Sequence, residues 1–310
     1  MMDSETMKSL DRLVEMALEE DLRGGVDCTS QSVIPGAVSG SASFVSRADG
    51  IVCGVAVVER VLKLREAATK VQGSGLSLEV SITDGSRVRP GQTIATLRGY
   101  AREILKVERV CLNFMGRLSG IATLTRQFVD AVAGTNAKIH DTRKTTPGWR
   151  RLEKYAVKCG GGTNHRMGLY DEVLIKDNHL AMLGQLVSEK TDLVAEAISR
   201  ARAWINDNAT LLPNGKKTLV QIEVDNLHQL RTALGLHPDM ILLDNMSLEQ
   251  LREAVSLRNR LAPKIQLEAS GGVTLQTVVN IAHTGVDRIS AGALTHSATN
   301  FDIGLDWRLD

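Results

Sequence analysis

Cysteine is scarce and scattered. The 310-residue chain has four, Cys28, Cys53, Cys111 and Cys159, with no C-x-x-C pair. That argues against a zinc site or a disulfide framework and makes a reducing cytoplasm the default compartment. Aromatic residues are also few: 3 Trp, 3 Tyr and 4 Phe leave little on which successive bases could stack, which argues against a single-strand nucleic-acid binder. A formal net charge of +1 gives no overall attraction to nucleic acid or to a membrane surface. No run approaches the ~20 apolar residues that cross a bilayer. The opening MMDSETMKSLDRL lacks the basic start and apolar stretch of a secretory signal. No nucleophile-elbow, zincin, Walker or dinucleotide fingerprint occurs.

What remains is an ordinary globular composition, 43% hydrophobic and 24% charged, long enough for about two domains. Leu10, Leu13, Val14, Ala17 and Leu18 repeat at three-four spacing and predict a helix over 5–22. Residues 26–102 change character. SASFV (41–45), LSLEVSI (76–82) and TIATL (93–97) read as strands between Gly, Pro and Asp turns. VSITDGSRVRPGQTIATLRG (80–99) looks like the hammerhead of biotinyl and lipoyl domains. A carrier needs a modifiable lysine on its tight turn, and none lies between Lys70 and Lys106. A structural module is therefore expected. A helix is predicted from Glu103 to about Val132, with Gly116 and Gly120 as expected breaks.

Beyond it, short apolar runs near 137–141, 172–176, 218–224, 240–244, 265–269 and 287–291 alternate with helical stretches near 149–158, 188–206, 226–235, 247–259 and 274–284. Such alternation implies parallel strands with helical crossovers. Fewer strands than the eight of a full barrel predict an incomplete, open β/α barrel. The expected fold is thus α/β: an N-terminal α+β domain over 1–118 containing the hammerhead-like module, then the open barrel over 119–310. The polar stretch NDNATLLPNGKK (206–217) reads as a surface loop.

Chemistry gathers just after the apolar runs. KIHD leads into Thr142, Arg143 and Lys144; EVLIK ends on Lys176; VQIEVD ends on Glu223 and Asp225; MILLDN ends on Asp244. Charges at one end of successive parallel strands are the signature of an active site at the carboxyl face. Arg143, Lys144 and Lys176 follow strands directly and are expected in a pocket, whereas Arg150, Arg151, Lys154 and Lys158 read as a solvated helix face. Several fixed cations suit a ligand with more than one carboxylate or phosphate. Glu223 and Asp244, at the ends of adjacent strands, suggest Mg²⁺, which keeps water and phosphate in its shell; a structural salt bridge is the competing reading. ASGG (269–272) and SAGA (290–293) resemble the phosphate turns that barrels build after their last strands. Asp141 is expected to hold Arg143 or a backbone amide.

Several strings together resemble the quinolinate phosphoribosyltransferase family: ALEEDLRGGVDCTS (17–30), ERVCLNFMGRLSGIAT (108–123), DTRKTTPGWR (141–150), KYAVKCGGGTNHRMGLYDEVLIKDNH (154–179), IEVDN (222–226), ILLDN (241–245), LEASGG (267–272) and DRISAGALTHS (287–297). The resemblance covers nearly the whole chain. It implies a decarboxylating pentosyltransferase of NAD biosynthesis that uses quinolinate, phosphoribosyl pyrophosphate and Mg²⁺. It places quinolinate on Arg109, Thr142, Arg143, His165, Arg166 and Lys176, and catalysis on Lys144, Glu223 and Asp244. Glu223 and Asp244 also face the metal, directly or through water. The 5′-phosphate falls on Ser270, Gly271, Gly272, Ala291, Gly292 and Ala293. Arg109 lies on the helix after the β module and is implied to reach a neighbouring subunit's site, so a homodimer with shared sites is expected; further assembly into hexamers is left open. The alternatives are a paralogue that takes nicotinate without losing carbon dioxide, a Schiff-base aldolase on Lys144 or Lys176, and a non-catalytic metabolite sensor.

Overall fold

Asp3 starts the first helix by accepting the Thr6 amide at 2.7 Å, supplying one of the orphan donors of a helix start with a partner. The computed structural model describes residues 2–69 and 75–309. The chain forms two compact units. The first comprises Met1–Arg126, Thr145–Gly162 and Leu294–Asp310, and the second Gln127–Lys144 and Thr163–Ala293.

In the first unit, α1 (Ser4–Leu22) buries Leu10, Leu13 and Val14, the face that the periodicity predicts, and packs on α3, which spans Val55–Thr69. A short α2 (Cys28–Val33) is capped by Asp27. β1 (Ser39–Ser46), β3 (Ser77–Val80) and β5 (Thr93–Tyr100) lie in an antiparallel sheet of order β12–β1–β5–β3, whose edge strand β12 is Ile303–Leu309. A small pair joins β2 (Gly50–Ile51) to β4 (Arg87–Val88). Neither α3 nor β12 is legible in the sequence.

The long helix α4 spans Ala101–Ala131 without interruption, so Gly116 and Gly120 are not breaks. Their function is steric. A Cβ on Gly120 would stand 2.0 Å from the Thr299 carbonyl oxygen, and one on Gly116 3.2 Å from that of Phe301. The missing side chains let the C-terminal segment lie against the helix, where the Phe301 amide donates to the Gly116 carbonyl.

α5 (Arg150–Cys159) also departs from expectation. Lys154 is 1% exposed, because Leu152, Glu153, Ala156 and Val157 are buried with it and the helix is enclosed over much of its circumference. A solvated lysine face exists only at Lys158.

The second unit is a six-stranded parallel sheet of order β6–β11–β10–β9–β8–β7. Its strands are β6 (Lys138–His140), β7 (Val173–Ile175), β8 (Val220–Val224), β9 (Met240–Asp244), β10 (Gln266–Ser270) and β11 (Arg288–Ser290). All lie where the sequence predicts them. β6 and β7 are the two ends of the order, so the sheet is open. The crossovers include α6 (Asp177–Gly184), α7 (Leu193–Asp207), α8 (Leu227–Leu236), α9 (Leu248–Leu261) and α10 (Val278–Ala282). Residues 206–217 hold two single 3₁₀ turns, with Leu211 71% exposed, as expected of a surface loop.

Register explains how this sheet separates chemistry from packing. Glu223 aligns with Leu242, Leu242 with Glu268, and Glu268 with Arg288. Because side chains alternate along a strand, one face carries Gln221, Glu223, Asp244, Glu268, Ser270, Arg288, Ser290 and His140. The other carries Ile139, Ile175, Ile222, Ile241, Leu243, Leu267 and Ile289, all buried. The apolar face packs on helices, and the polar one is the interior of the open barrel.

Candidate active site

The buried carboxylate of Asp141 positions the segment after β6. One oxygen accepts the His165 amide at 2.8 Å and the other the Asn164 side chain at 2.6 Å. The sequence reading of Asp141 as the holder of a backbone amide is therefore right. Next to it the Thr142 hydroxyl accepts the Lys144 amide at 3.0 Å, so that Thr142, Arg143 and Lys144 form a tight turn, with Lys144 exposed and Arg143 half-buried.

His165 sits between two carboxylates. Its Nε2 is 3.2 Å from Glu268 Oε1 and its Nδ1 3.1 Å from Glu172 Oε1. Burial by itself disfavours the charged ring, but the two carboxylates outweigh it and lift the imidazole to about 9. Nδ1 also lies 2.8 Å from the Arg166 amide nitrogen. There the Arg166 amide donates and the ring nitrogen accepts. The Arg166 guanidinium donates to the Glu172 carbonyl at 3.1 Å. Burial first, and then the charge of Arg143, lower the affinity of Arg166 for its proton. Arg143 and Arg166 are thus close enough to repel one another.

Glu268, fully buried on β10, has partners from several elements. Besides His165 they are Arg288 Nε at 3.1 Å, the Gln221 amide at 3.0 Å and the Ser290 hydroxyl. Burial pushes this carboxyl upward, yet His165, Arg288 and Ser290 together hold it at about 2. Arg288 in turn reaches His140 Nδ1 at 3.2 Å. The linkage follows from these directions. The raised His165 contributes stability that is complete below its ordinary range and lost as pH rises through about 9. The depressed Glu268 contributes stability present above the ordinary carboxylate range and lost as pH falls through about 2. Sequence reasoning missed Glu172, Gln221, Glu268 and Arg288. The available signal was polar residues two positions before a strand-end site residue: Gln221 before Glu223, Glu268 before Ser270, and Arg288 before Ser290.

Farther along the sheet, Lys176 Nζ is 3.6 Å from Glu223 Oε2. Burial raises the Glu223 carboxyl; Lys176 opposes this, while Asp244 and Asp177 add to it. Glu223 and Asp244 therefore feel each other's charge, and Asp244 is held by the Asn245 amide at 2.7 Å. No group of three or more His, Cys, Asp or Glu suited to a metal occurs among the described residues.

After β10, Asn245 donates its amide to the Ser270 carbonyl at 2.9 Å. Gly271 has φ +95°, and a Cβ there would meet the Asn245 side-chain oxygen at 2.1 Å; Gly272 has φ +58°. Only glycine fits the first position, and the backbone is left open to a ligand. Ala291 donates to the His140 carbonyl at 3.0 Å, fixing the start of the Ala291, Gly292, Ala293 turn. The second unit thus contains all the sequence-predicted site residues except Arg109, which is exposed on α4 of the first unit.

The quinolinate phosphoribosyl transferase N-terminal domain matches residues 27–119 and the C-terminal domain residues 121–306. The chain belongs to the quinolinate phosphoribosyltransferase family. Among its relatives, the nicotinate-nucleotide pyrophosphorylase [carboxylating] of Mycobacterium leprae is 44% identical, over 94% of this chain and 95% of the relative. The probable nicotinate-nucleotide pyrophosphorylase [carboxylating] of Bacillus subtilis is 38% identical, over 96% of this chain and 93% of the relative. A crystal structure of nicotinate-nucleotide pyrophosphorylase from Ehrlichia chaffeensis matches with a TM-score of 0.82 at 40% identity, covering 96% of this chain and 98% of that one. Family membership gives the open parallel barrel its chemistry: a transferase of pyridine nucleotide biosynthesis.

Proposed function

We propose that this chain converts quinolinate and phosphoribosyl pyrophosphate to nicotinate mononucleotide, pyrophosphate and carbon dioxide. The observation that carries the reading is the placing of two half-buried guanidiniums, Arg143 after β6 and Arg166 on the following turn, in the same unit, which suits a ring acid bearing two adjacent carboxylates. Thr142 and Lys176 complete that grip, and Lys144, exposed beside it, faces both substrates. The glycine turn Ser270, Gly271, Gly272 and the turn Ala291, Gly292, Ala293 offer backbone N–H groups to the 5′-phosphate.

Glu223 and Asp244 suit Mg²⁺: two neighbouring carboxylates, with no metal-suited group of three among the described residues, leave positions for water and pyrophosphate oxygens. When bound there, the ion neutralises charge on the departing pyrophosphate. Glu223 also stabilises positive charge that develops on the ribose as the C1–O bond breaks. The pyridine nitrogen attacks the same carbon. Once alkylated, the ring nitrogen accepts the electron pair released as the 2-carboxylate leaves as carbon dioxide, so no organic cofactor is required. Orientation and charge compensation, rather than a covalent enzyme intermediate, supply the acceleration.

With carboxyl-labelled quinolinate and phosphoribosyl pyrophosphate, carbon dioxide and nicotinate mononucleotide will form one to one. The reaction will stop on chelation of divalent metal and will not proceed with nicotinate. Turnover of nicotinate in its place would keep the phosphate site but overturn the substrate.

Arg109 belongs, on this reading, to the site of a neighbouring subunit of a homodimer. Inactive Arg109→Ala and inactive Lys144→Ala subunits will regain partial activity when mixed, because some hybrid dimers carry one intact site; mixtures that stay inactive would remove the shared site. We further place the enzyme in the cytoplasm. In support, no helix among the described residues is long and apolar enough to cross a membrane.

A further inference from the structure

We propose that Asn245 is a positioning residue for phosphoribosyl pyrophosphate: its side-chain amide ties the Asp244 carboxylate to the glycine turn after β10, so that the grips on the two ends of one substrate keep a fixed separation. The inference rests on the reading of Asp244 as facing the metal-bound pyrophosphate and of Ser270, Gly271 and Gly272 as the 5′-phosphate turn. Neither grip by itself calls for Asn245.

Three observations carry it. β9 and β10 run parallel and in register to their last residues, with Asp244 opposite Ser270. The Asn245 amide extends that ladder by one bond, donating to the Ser270 carbonyl at 2.9 Å. The Asn245 side-chain nitrogen donates to Asp244 Oδ2 at 2.7 Å. Its side-chain oxygen lies against the neighbouring turn: a Cβ on Gly271 would stand 2.1 Å from Asn245 Oδ1 and 2.6 Å from Cγ. One short side chain thus touches the acid at the end of β9 and the turn at the end of β10, while its own backbone fastens the two strands.

A turn alone does not require this. Asn245 has φ +52°, a left-handed conformation that asparagine tolerates but that glycine adopts more readily still. The chain then enters α9 through its own cap at Ser247. What asparagine has and glycine lacks is the amide, and both of its ends are in use. The bond to Asp244 matters because a carboxylate turns broadly about its last torsion, and a donor on one oxygen fixes where the other lies. Asp244 is only half-buried and Asn245 is exposed, so packing alone restrains that carboxylate weakly. Phosphoribosyl pyrophosphate carries its two phosphorylated groups on different carbons of one ribose. Grips on both add their full effect only when their spacing is set before the substrate arrives.

Asn245→Gly is the decisive variant, because it keeps the left-handed turn and the backbone bond to Ser270 and removes only the amide side chain. Calorimetry without quinolinate should find phosphoribosyl pyrophosphate with Mg²⁺ bound about tenfold more weakly than by wild type. Ribose 5-phosphate, which on this reading reaches the phosphate turn but not Asp244, should bind within about twofold of wild type. In a merely structural role the turn would loosen and both ligands would lose affinity alike, which would overturn the proposal. So would unchanged affinity for both.

A second measurement asks whether the amide acts through Asp244. In the same titration, the double variant of Asn245→Gly and Asp244→Asn should bind phosphoribosyl pyrophosphate no more than about twofold more weakly than Asp244→Asn alone. Losses that multiply would mean that Asn245 meets the substrate itself, and would sink the positioning role. Neither readout needs turnover. Ribose 5-phosphate that failed to bind wild type would remove the phosphate reading and the inference with it. Wild-type binding of both ligands beside an unchanged Asn245→Gly would remove the inference alone.

Discussion

Replacing Arg143 with alanine will lower kcat/KM for quinolinate by about a thousandfold, roughly 4 kcal/mol of transition-state binding, with little change in the KM for phosphoribosyl pyrophosphate. The argument begins with a cost. In the free protein burial first, and then the charge of Arg143, make Arg166 hold its proton less firmly. A ligand with two adjacent carboxylates relieves that repulsion while accepting forked hydrogen bonds. Binding and relief therefore act together. Removing Arg143 abolishes one fork and the relief, but leaves the glycine turns after β10 and β11, proposed for the 5′-phosphate, intact. Arg143→Lys will recover only part of the activity, since an ammonium keeps the charge but not the planar fork. A loss that falls on phosphoribosyl pyrophosphate instead would reassign Arg143 to the other substrate.

The main lines of the barrel are legible because its two faces follow different rules. The six short strands stand out as apolar runs buried against helices, and polar chemistry appears where each run ends. Thr142, Arg143, Lys144, Lys176, Glu223 and Asp244 stand out for that reason, and the structure gathers them in one unit. The polar layer beneath them is harder to see. Glu268 within QLEAS or Arg288 within RIS looks like an isolated intrusion into a strand. It becomes intelligible only when the register places the two opposite one another. Charges that satisfy each other across strands are long-range facts, and period-two spacing within one strand only hints at them. α3 was hidden by its composition: the β-branched run VAVVERV (55–61) resembles a strand, and tertiary burial of Val55, Val57, Val58 and Val61 holds it as a helix. β12 was hidden by distance, since it pairs with β1 from the opposite end of the chain. Lys154 was misread because one lysine-rich helix face suggests water, whereas α5 is covered around most of its girth.

The same first unit supplies the prediction with the largest effect on stability, at Glu153. This carboxylate is fully buried. One oxygen takes Arg117 Nη2 at 2.7 Å and the Thr146 hydroxyl at 2.8 Å, and the other takes the Thr146 amide at 3.1 Å. Arg117 also donates to the carbonyls of Thr295 and Ala298, the latter at 3.2 Å. The cluster therefore staples α4, the 145–162 segment and the C-terminal segment into one unit. Thr146 stands two residues after Lys144 and Thr295 two after Ala293, so the staple anchors the chain just after the turn that follows β6 and just after the turn that follows β11. Glu153→Ala will strand a guanidinium, an amide and a hydroxyl at once. Breaking such a pair from one side costs about 3–5 kcal/mol, a fall of about 5–8 °C in Tm for a chain of this size. Glu153→Gln retains an acceptor for Thr146 but loses the charge opposite Arg117, and will cost less, about 1–3 kcal/mol. Thermal unfolding of both variants measures the difference. Equal melting temperatures for Glu153→Ala and wild type would mean that the buried ion pair contributes nothing net, and that apolar packing of α5 through Leu152, Ala156 and Val157 alone holds the segment in place.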